Sequence, residues 1–246
     1  MPISHSERIT ESRFLPPWLA REHEARYTFC RAYVPGRFVL DCGSGEGKGS
    51  RSMARGGPRI MVAMDRALEA VSLVRGAAEG NVRAVNGSAE KLPLRPDSVE
   101  VIVALEVIEH FDDPDAFLDD VAASLRRDGT FLCSTPNRLV RNPRAPLSAK
   151  PLNPWHLREW TPEELRAMLE RVFERVELYG QSPQSPAVTK LFDWVGRIWK
   201  KGAAILRQLV KFRLLLWTPR GIYDVQPFDP NVDYEFMVVK CTGPRR

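Results

Sequence analysis

The chain has 246 residues, 43% of them hydrophobic, enough to bury one sizeable core and too little for two enzyme domains side by side. Its formal net charge of +5 points to acidic partners such as phosphate groups, nucleic acid or an anionic membrane surface without choosing among them. No window of about 18 residues is free of charge, which excludes a spanning helix, and the opening MPISHSERITESRF has no apolar signal core. Cys30, Cys42, Cys133 and Cys241 form no CxxC pair, and three of them lie in apolar runs as small core residues, which fits a reducing cytoplasm.

Residues 16–33 read as an N-terminal helix. From Arg37 to Thr135, short apolar runs alternate with longer helical or polar stretches, the spacing of βαβ units and of a parallel sheet covered on both faces. The runs are RFVLDCG, RIMVAMD, NVRAVNG, VEVIVAL and TFLCSTP, with helices predicted over 66–79 and 114–127. The second of these opens at Asp113 with Pro114 in its first turn and closes before Gly129.

The first run leads into VLDCGSGEGKGS (39–50), where Gly43, Gly45 and Gly47 permit a tight turn and a close ligand approach. A dinucleotide fingerprint G-x-G-x-x-G would need glycine where Lys48 stands, and Glu46 would repel a diphosphate while tolerating a cationic ligand. Asp65 ends the second run, placed to accept hydrogen bonds from both hydroxyls of a ribose or, alternatively, to cap the helix before Arg66.

After VEVIVAL, a helical turn over 105–111 would set Glu106, Glu109 and His110 at i, i+3 and i+4 on one face. The competing reading has the acids merely favouring the positive end of a helix. Downstream, past a Pro-rich loop at 136–154, NPWHLREW (153–160) offers His156 as a fourth ligand; packed between Trp155 and Trp160, it would instead be an ordinary loop histidine. A helix then opens at Thr161-Pro162 with Glu164 at capping-box spacing, followed by strand RVELYG (175–180) and a last strand DYEFMVVKC. Between these strands an insertion at 181–232 spaces Leu191, Trp194, Ile198, Ile205, Leu206 and Leu209 near the helical period, opposite Arg197, Lys200, Lys201, Arg207, Lys211 and Arg213. Packing as a lid or cap is the favoured reading, and docking on a membrane surface the alternative.

On these motifs the chain resembles the class I S-adenosylmethionine-dependent methyltransferases over about residues 24–180 plus the final strand. VLDCGSGEG looks like the family's first motif, Asp65 like its ribose-binding acid and GSAEKLPL (87–94) like the segment lining the adenine pocket. Ser88 stands where relatives commonly carry Asp, and Ala89 would offer its backbone amide to the ring. The resemblance implies an α/β fold, a doubly wound, mostly parallel seven-stranded sheet with a helical insertion before the last strand, in one domain over 1–246. That domain divides into an N-terminal helical segment (1–36), a cofactor-binding core (37–180), the insertion (181–232) and the last strand with its tail (233–246). It further implies S-adenosylmethionine as cofactor, bound by Tyr27, Asp41, Gly43, Gly45, Glu46, Gly47, Asp65, Arg66, Ser88, Ala89 and Leu105.

Within that superfamily, EVIEH, STPN (134–137) and a later H-x-x-E-[WF]-T are similar to ubiquinone-pathway catechol O-methyltransferases and small-RNA 3′-terminal 2′-O-methyltransferases. In the RNA group two Glu and two His hold a divalent ion; carried over, the metal ligands are Glu106, Glu109, His110 and His156, with Glu109, His110 and His156 catalytic. Two carboxylates suit magnesium or manganese, and two imidazoles would also accept zinc. Without a metal, His110 is the candidate general base. The segment ERITESRFLPPWLAREHEARYTF (7–29), with H-x-x-R-Y at His23, Arg26 and Tyr27, resembles a subset found in glycan and polysaccharide assembly, where it closes over cofactor and acceptor. The bland alternative is a helix on the sheet edge with Arg26 solvated.

The expected activity is methyl transfer from S-adenosylmethionine to a hydroxyl of a sugar, glycan or other vicinal-diol acceptor, in the cytoplasm or peripherally at a membrane. RNA 3′-end methylation and a non-catalytic adenosylmethionine-binding adaptor are the alternatives. Nucleic acid is not the favoured partner, because the chain lacks an aromatic-plus-basic stacking platform.

Overall fold

In the computed structural model the described residues are 17–77, 80–142, 146, 148–184 and 223–245. Helix α1 (Pro17–Arg31) leads into β1 (Phe38–Cys42), α2 (Lys48–Ala54), β2 (Ile60–Asp65), α3 (Leu68–Gly76), β3 (Val82–Asn86) and β4 (Val99–Leu105). A 3₁₀ turn (Ile108–His110), α4 (Pro114–Ser124), β5 (Leu125–Pro136) and a one-turn α5 (Arg138–Arg141) follow, then α6 (Pro162–Glu170), β6 (Phe173–Pro183), β7 (Gln226–Pro227) and β8 (Tyr234–Pro244).

The strands form one sheet in the order β3-β2-β1-β4-β5-β8-β6-β7. Strands β1 to β5 pair in parallel, and β8 runs antiparallel between β5 and β6. The sheet has eight strands where seven were expected: β7 adds two residues, pairing with Tyr179 and Gly180 at the far edge. So short a strand carries no alternation to read, and its Pro227 suits an edge, where a missing N–H leaves no ladder bond unmade.

Alternation along the central strands sorts the core into two layers. Leu40, Cys42, Ile102, Ala104, Phe131 and Cys133 face Phe117 and Leu118 of α4 and Leu165 and Leu169 of α6. Val39, Val101, Val103 and Leu132 face Cys30 of α1, Met53 of α2 and Val74 of α3. All seven residues of β4 are buried, which explains why VEVIVAL reads as a nearly continuous apolar run. Truncating a fully buried anchor such as Phe117 to Ala would cost about 3–5 kcal/mol.

The helix signals hold at the predicted ends. Asp113 caps α4 by accepting from the Ala116 N–H at 3.0 Å, and Thr161 and Glu164 form a reciprocal capping box on α6. Two spans are shorter than predicted. Helix α3 starts at Leu68 because Asp65 takes the Ala67 N–H and holds Ala67 extended, while α4 ends at Ser124 because Leu125 already pairs with Val99 of β4. The insertion lies largely outside the described residues, so its basic stripe, lid and membrane readings are not tested by the fold. No helix among the described residues is long and apolar enough to cross a membrane.

Candidate active site

A cavity opens at the C-terminal ends of β1, β2 and β4. As β1 ends, the chain turns through Gly43, Gly45 and Gly47, at φ +69°, +52° and +76°, a left-handed course that L side chains rarely adopt. Gly47 then caps α2. The turn is tied to β2 at two points: the Ser44 N–H donates to the Met64 carbonyl at 3.0 Å, and the Gly45 N–H donates to Asp65 Oδ2 at 2.9 Å. Asp65 Oδ1 accepts from the Ala67 N–H at 2.9 Å. Asp65 therefore lines the cavity and braces both of its loops, holding the chain just ahead of α3 without capping the helix itself.

Gly43, Gly45, Glu46, Asp65, Arg66, Ser88, Ala89 and Leu105 all line the cavity, and so does Tyr27. Asp41 and Gly47, expected in the cofactor-binding set, do not. Asp41 lies behind the loop, accepting the Ser50 hydroxyl at 2.5 Å; burial pushes its carboxyl up to about 7, the Ser50 bond opposing and the Asp65 charge adding to the shift. Gly47 serves the turn alone, and a Cβ there would come within 2.6 Å of Val74. A fourth glycine, Gly49, matters for a different reason: its missing Cβ would sit 1.9 Å from the Tyr27 ring, so α1 and α2 pack closely enough for that ring to reach the cavity.

Helix α1 supplies His23, Glu24 and Tyr27 to the cavity wall. Arg26, about one turn along from His23, is fully buried, which rules out the alternative of a solvated side chain. Its guanidinium donates to Gln181 Oε1 at 2.6 Å and to His23 Nδ1 at 3.1 Å and stacks 4.6 Å over Phe236. Gln181 in turn donates to the Glu22 and Tyr223 carbonyls, and Ser182 donates to the Glu22 carboxylate. Burial lowers the His23 imidazole well below its usual range, with the Arg26 and Lys48 charges adding, so the ring facing the cavity is neutral.

The EVIEH segment departs from the predicted helical turn. Glu106 takes φ +56°, which breaks the helical course, and only Ile108–His110 turn, as a 3₁₀ helix. Glu106 points its carboxylate to the Ser134 hydroxyl, which donates at 2.6 Å, and lines the cavity. The group of potential ligand atoms, all within 4.8 Å of one another, is accordingly Glu109, His110 and His156, without Glu106. Glu109 is fully buried, and no well-formed hydrogen bond reaches either carboxylate oxygen, although the Thr135 hydroxyl lies beside the carboxyl. Burial raises its carboxyl well above the usual range, and the Glu106 charge adds to the shift. His110 and His156 meet edge-on with centroids 5.1 Å apart, and His110 also lines the cavity. Glu159 and Asn153 engage the two ring nitrogens of His156 at 2.7 and 2.8 Å. Glu159 is a residue the sequence reading passed over, although it stands in the H-x-x-E motif.

Residues 40–133 match the family model of a methyltransferase domain. The chain is 38% identical over 157 residues to a probable S-adenosylmethionine-dependent methyltransferase of Mycolicibacterium smegmatis, covering 64% of this chain and 59% of that protein. It is 34% identical over 116 residues to a ubiquinone biosynthesis O-methyltransferase of Xanthomonas campestris pv. campestris, covering 46% of this chain and 48% of that protein. The chain thus spans roughly half of the length of these curated relatives. Among solved structures, a Thermotoga maritima S-adenosylmethionine-dependent methyltransferase, a possible histamine N-methyltransferase, shares the fold with a TM-score of 0.61 over 92% of each chain at 15% identity.

Proposed function

We propose, from the match of residues 40–133 to a methyltransferase domain, that the protein is an S-adenosylmethionine-dependent methyltransferase that transfers a methyl group to a hydroxyl oxygen of a sugar, glycan or other vicinal-diol acceptor, assisted by a divalent metal. The observation that carries this reading is the double position of His110, which lines the cofactor cavity and belongs to the Glu109–His110–His156 group. A methyl donor on one side of that residue and an activated hydroxyl on the other is the arrangement that transfer to oxygen requires.

The cavity suits the cofactor chemically. Asp65 would accept from the ribose hydroxyls, Ser88 and the Ala89 amide would meet the adenine, and Glu24, Glu46 and Glu106 set negative charge around the cationic end. When bound, the cofactor supplies an electrophilic methyl group. Tyr27, His23 and Ala20 of α1 close the cavity against water on the near side.

Glu109, His110 and His156 fit a divalent cation on two counts. A fully buried carboxylate without a well-formed hydrogen bond is costly unless positive charge lies beside it, and donor nitrogens of the two imidazoles lie within 4.8 Å of it. One carboxylate with two imidazoles favours manganese, zinc or another first-row ion over magnesium, a shift from the expectation that included Glu106. When bound, such an ion supplies Lewis acidity that lowers the pKa of an acceptor hydroxyl.

The chain's own groups prepare this chemistry. His110 Nδ1 faces the Trp155 carbonyl at 3.0 Å; a carbonyl only accepts, so Nδ1 carries the proton and Nε2 is left with the lone pair. The reading is tested by incubating the protein with methyl-labelled S-adenosylmethionine and a panel of diols and their monohydroxyl analogues. Transfer to a vicinal diol, much slower transfer to the analogue, and none to amines is the expected result. Transfer only to nitrogen acceptors would overturn it.

A further inference from the structure

We infer that Glu159 is the positioning residue of the proposed metal centre, fixing the His156 ring so that Nε2 is its metal donor, and that Asn153 competes with the cation for that nitrogen. The inference rests on the metal reading above and extends it to two residues outside the ligand set.

The proton positions follow from a closed chain of donors and acceptors. The Trp155 N–H donates to Asn153 Oδ1 at 3.1 Å, which fixes the orientation of that amide and turns its Nδ2 toward His156 Nε2 at 2.8 Å. An amide nitrogen only donates, so Nε2 must accept and carries no proton. The ring proton is then on Nδ1, where the Glu159 carboxylate accepts it at 2.7 Å. The same result holds for His110 through the Trp155 carbonyl, so both imidazoles present Nε2.

Glu159 is itself buried at 2% exposure, and its second oxygen has no hydrogen-bond partner. A carboxylate so placed raises the basicity of the ring it holds and locks its orientation, the role of an acidic partner behind a metal-bound imidazole. Asn153 Nδ2 and a cation address one lone pair. Occupation of Nε2 by an ion would break the Asn153 side-chain contact, which rotation of that amide allows while the backbone turn from the His156 N–H to the Asn153 carbonyl at 3.2 Å stays closed.

The test is Mn²⁺ titration of the full chain by electron paramagnetic resonance, together with ¹⁵N shifts of the His156 ring. Wild-type protein is expected to bind Mn²⁺ and to show a protonated Nδ1 and an unprotonated Nε2 at neutral pH. Glu159→Ala should weaken Mn²⁺ by roughly 10- to 100-fold and mix the two tautomers, leaving S-adenosylmethionine affinity unchanged. Glu159→Gln, which keeps shape and an acceptor oxygen, should fold normally and lose several-fold, with the tautomer retained. Asn153→Ala should bind Mn²⁺ as tightly as wild type or more tightly. Wild-type Mn²⁺ affinity and an unmixed tautomer in folded Glu159→Ala, or in Glu159→Gln with the Ala variant unfolded, would overturn the positioning role. A loss in Asn153→Ala as large as in Glu159→Ala would overturn the competition. A wild-type protein that binds no Mn²⁺ but shows the stated tautomer would instead overturn the metal reading itself.

Discussion

At Glu106 one left-handed backbone dihedral decides which of two neighbouring sites a carboxylate serves. With φ at +56° the side chain turns to Ser134 and the cavity, while Glu109, three residues on, is left buried beside the imidazoles without a well-formed hydrogen bond. The two acids are therefore expected to separate experimentally. Glu109→Ala should abolish Mn²⁺ binding and turnover with S-adenosylmethionine affinity within about 0.5 kcal/mol of wild type, whereas Glu106→Ala should weaken the cofactor by about 1–3 kcal/mol and spare Mn²⁺. Calorimetry with each ligand on each variant reads both effects, and equal Mn²⁺ loss in the two variants would return Glu106 to the ligand set. The residue types of this site were legible in EVIEH and NPWHLREW. Their partition was not, because a positive φ at a glutamate leaves no trace in the spacing and Ser134 reaches Glu106 only by tertiary contact; Asn153 and Glu159, three residues either side of His156, were within reach of a local reading.

Asp41 offers a pH test of the loop. Its folded carboxyl titrates near 7 against an ordinary 3.8, so the folded state holds a proton that the unfolded chain releases. Its effect on stability is nil below the ordinary value, turns unfavourable as pH rises through that window, and levels off above about pH 7, at an order of roughly 2–4 kcal/mol. Asp41→Asn keeps an acceptor for the Ser50 hydroxyl and should flatten this part of the curve, raising the thermal midpoint above wild type at about pH 8 and not at about pH 4. Parallel wild-type and variant curves would contradict the assignment.

Among the elements, α1 shows how a helix packed on the face of the sheet becomes part of the site. Arg26 and Glu22 join it to the end of β6 through Gln181 and Ser182, and Tyr27 reaches the cavity over Gly49. Replacing Arg26 by Met leaves Gln181 Oε1 without its buried donor and removes the stacking on Phe236, an expected loss of about 2–4 kcal/mol. Because α1 carries four cavity residues, Ala20, His23, Glu24 and Tyr27, cofactor affinity should fall as well; thermal unfolding and calorimetry check the two together. A variant with unchanged cofactor affinity would show that α1 is scaffold only. The helix was readable from sequence at 16–33, close to Pro17–Arg31, and the Asp113 cap and the Thr161 capping box were readable because caps are local. The burial of Arg26 was not readable, since a charged residue with partners more than 150 positions away looks solvated until the sheet is assembled.

For the molecule as a whole, the sheet order explains the location of the site. Strands β3, β2, β1 and β4 lie side by side and end in Asn86, Asp65, Cys42 and Leu105, so the segments that follow deliver Ser88, Arg66, Gly43 and Glu106 to one rim. The order reverses between β1 and β4, the switch point where open α/β sheets bind ligands, and EVIEH follows β4 directly. Alternating apolar runs foretold this arrangement because the central strands β1 and β4 bury both faces, while the two-residue β7 had no periodicity to betray it. The central claim joins the cavity to the Glu109–His110–His156 group, and the most direct measurement is methyl transfer to a vicinal diol by metal-stripped protein, with S-adenosylmethionine binding followed in the same samples. Transfer should vanish in chelator and return with added Mn²⁺ while cofactor affinity stays constant; full transfer by the stripped protein in chelator would contradict it.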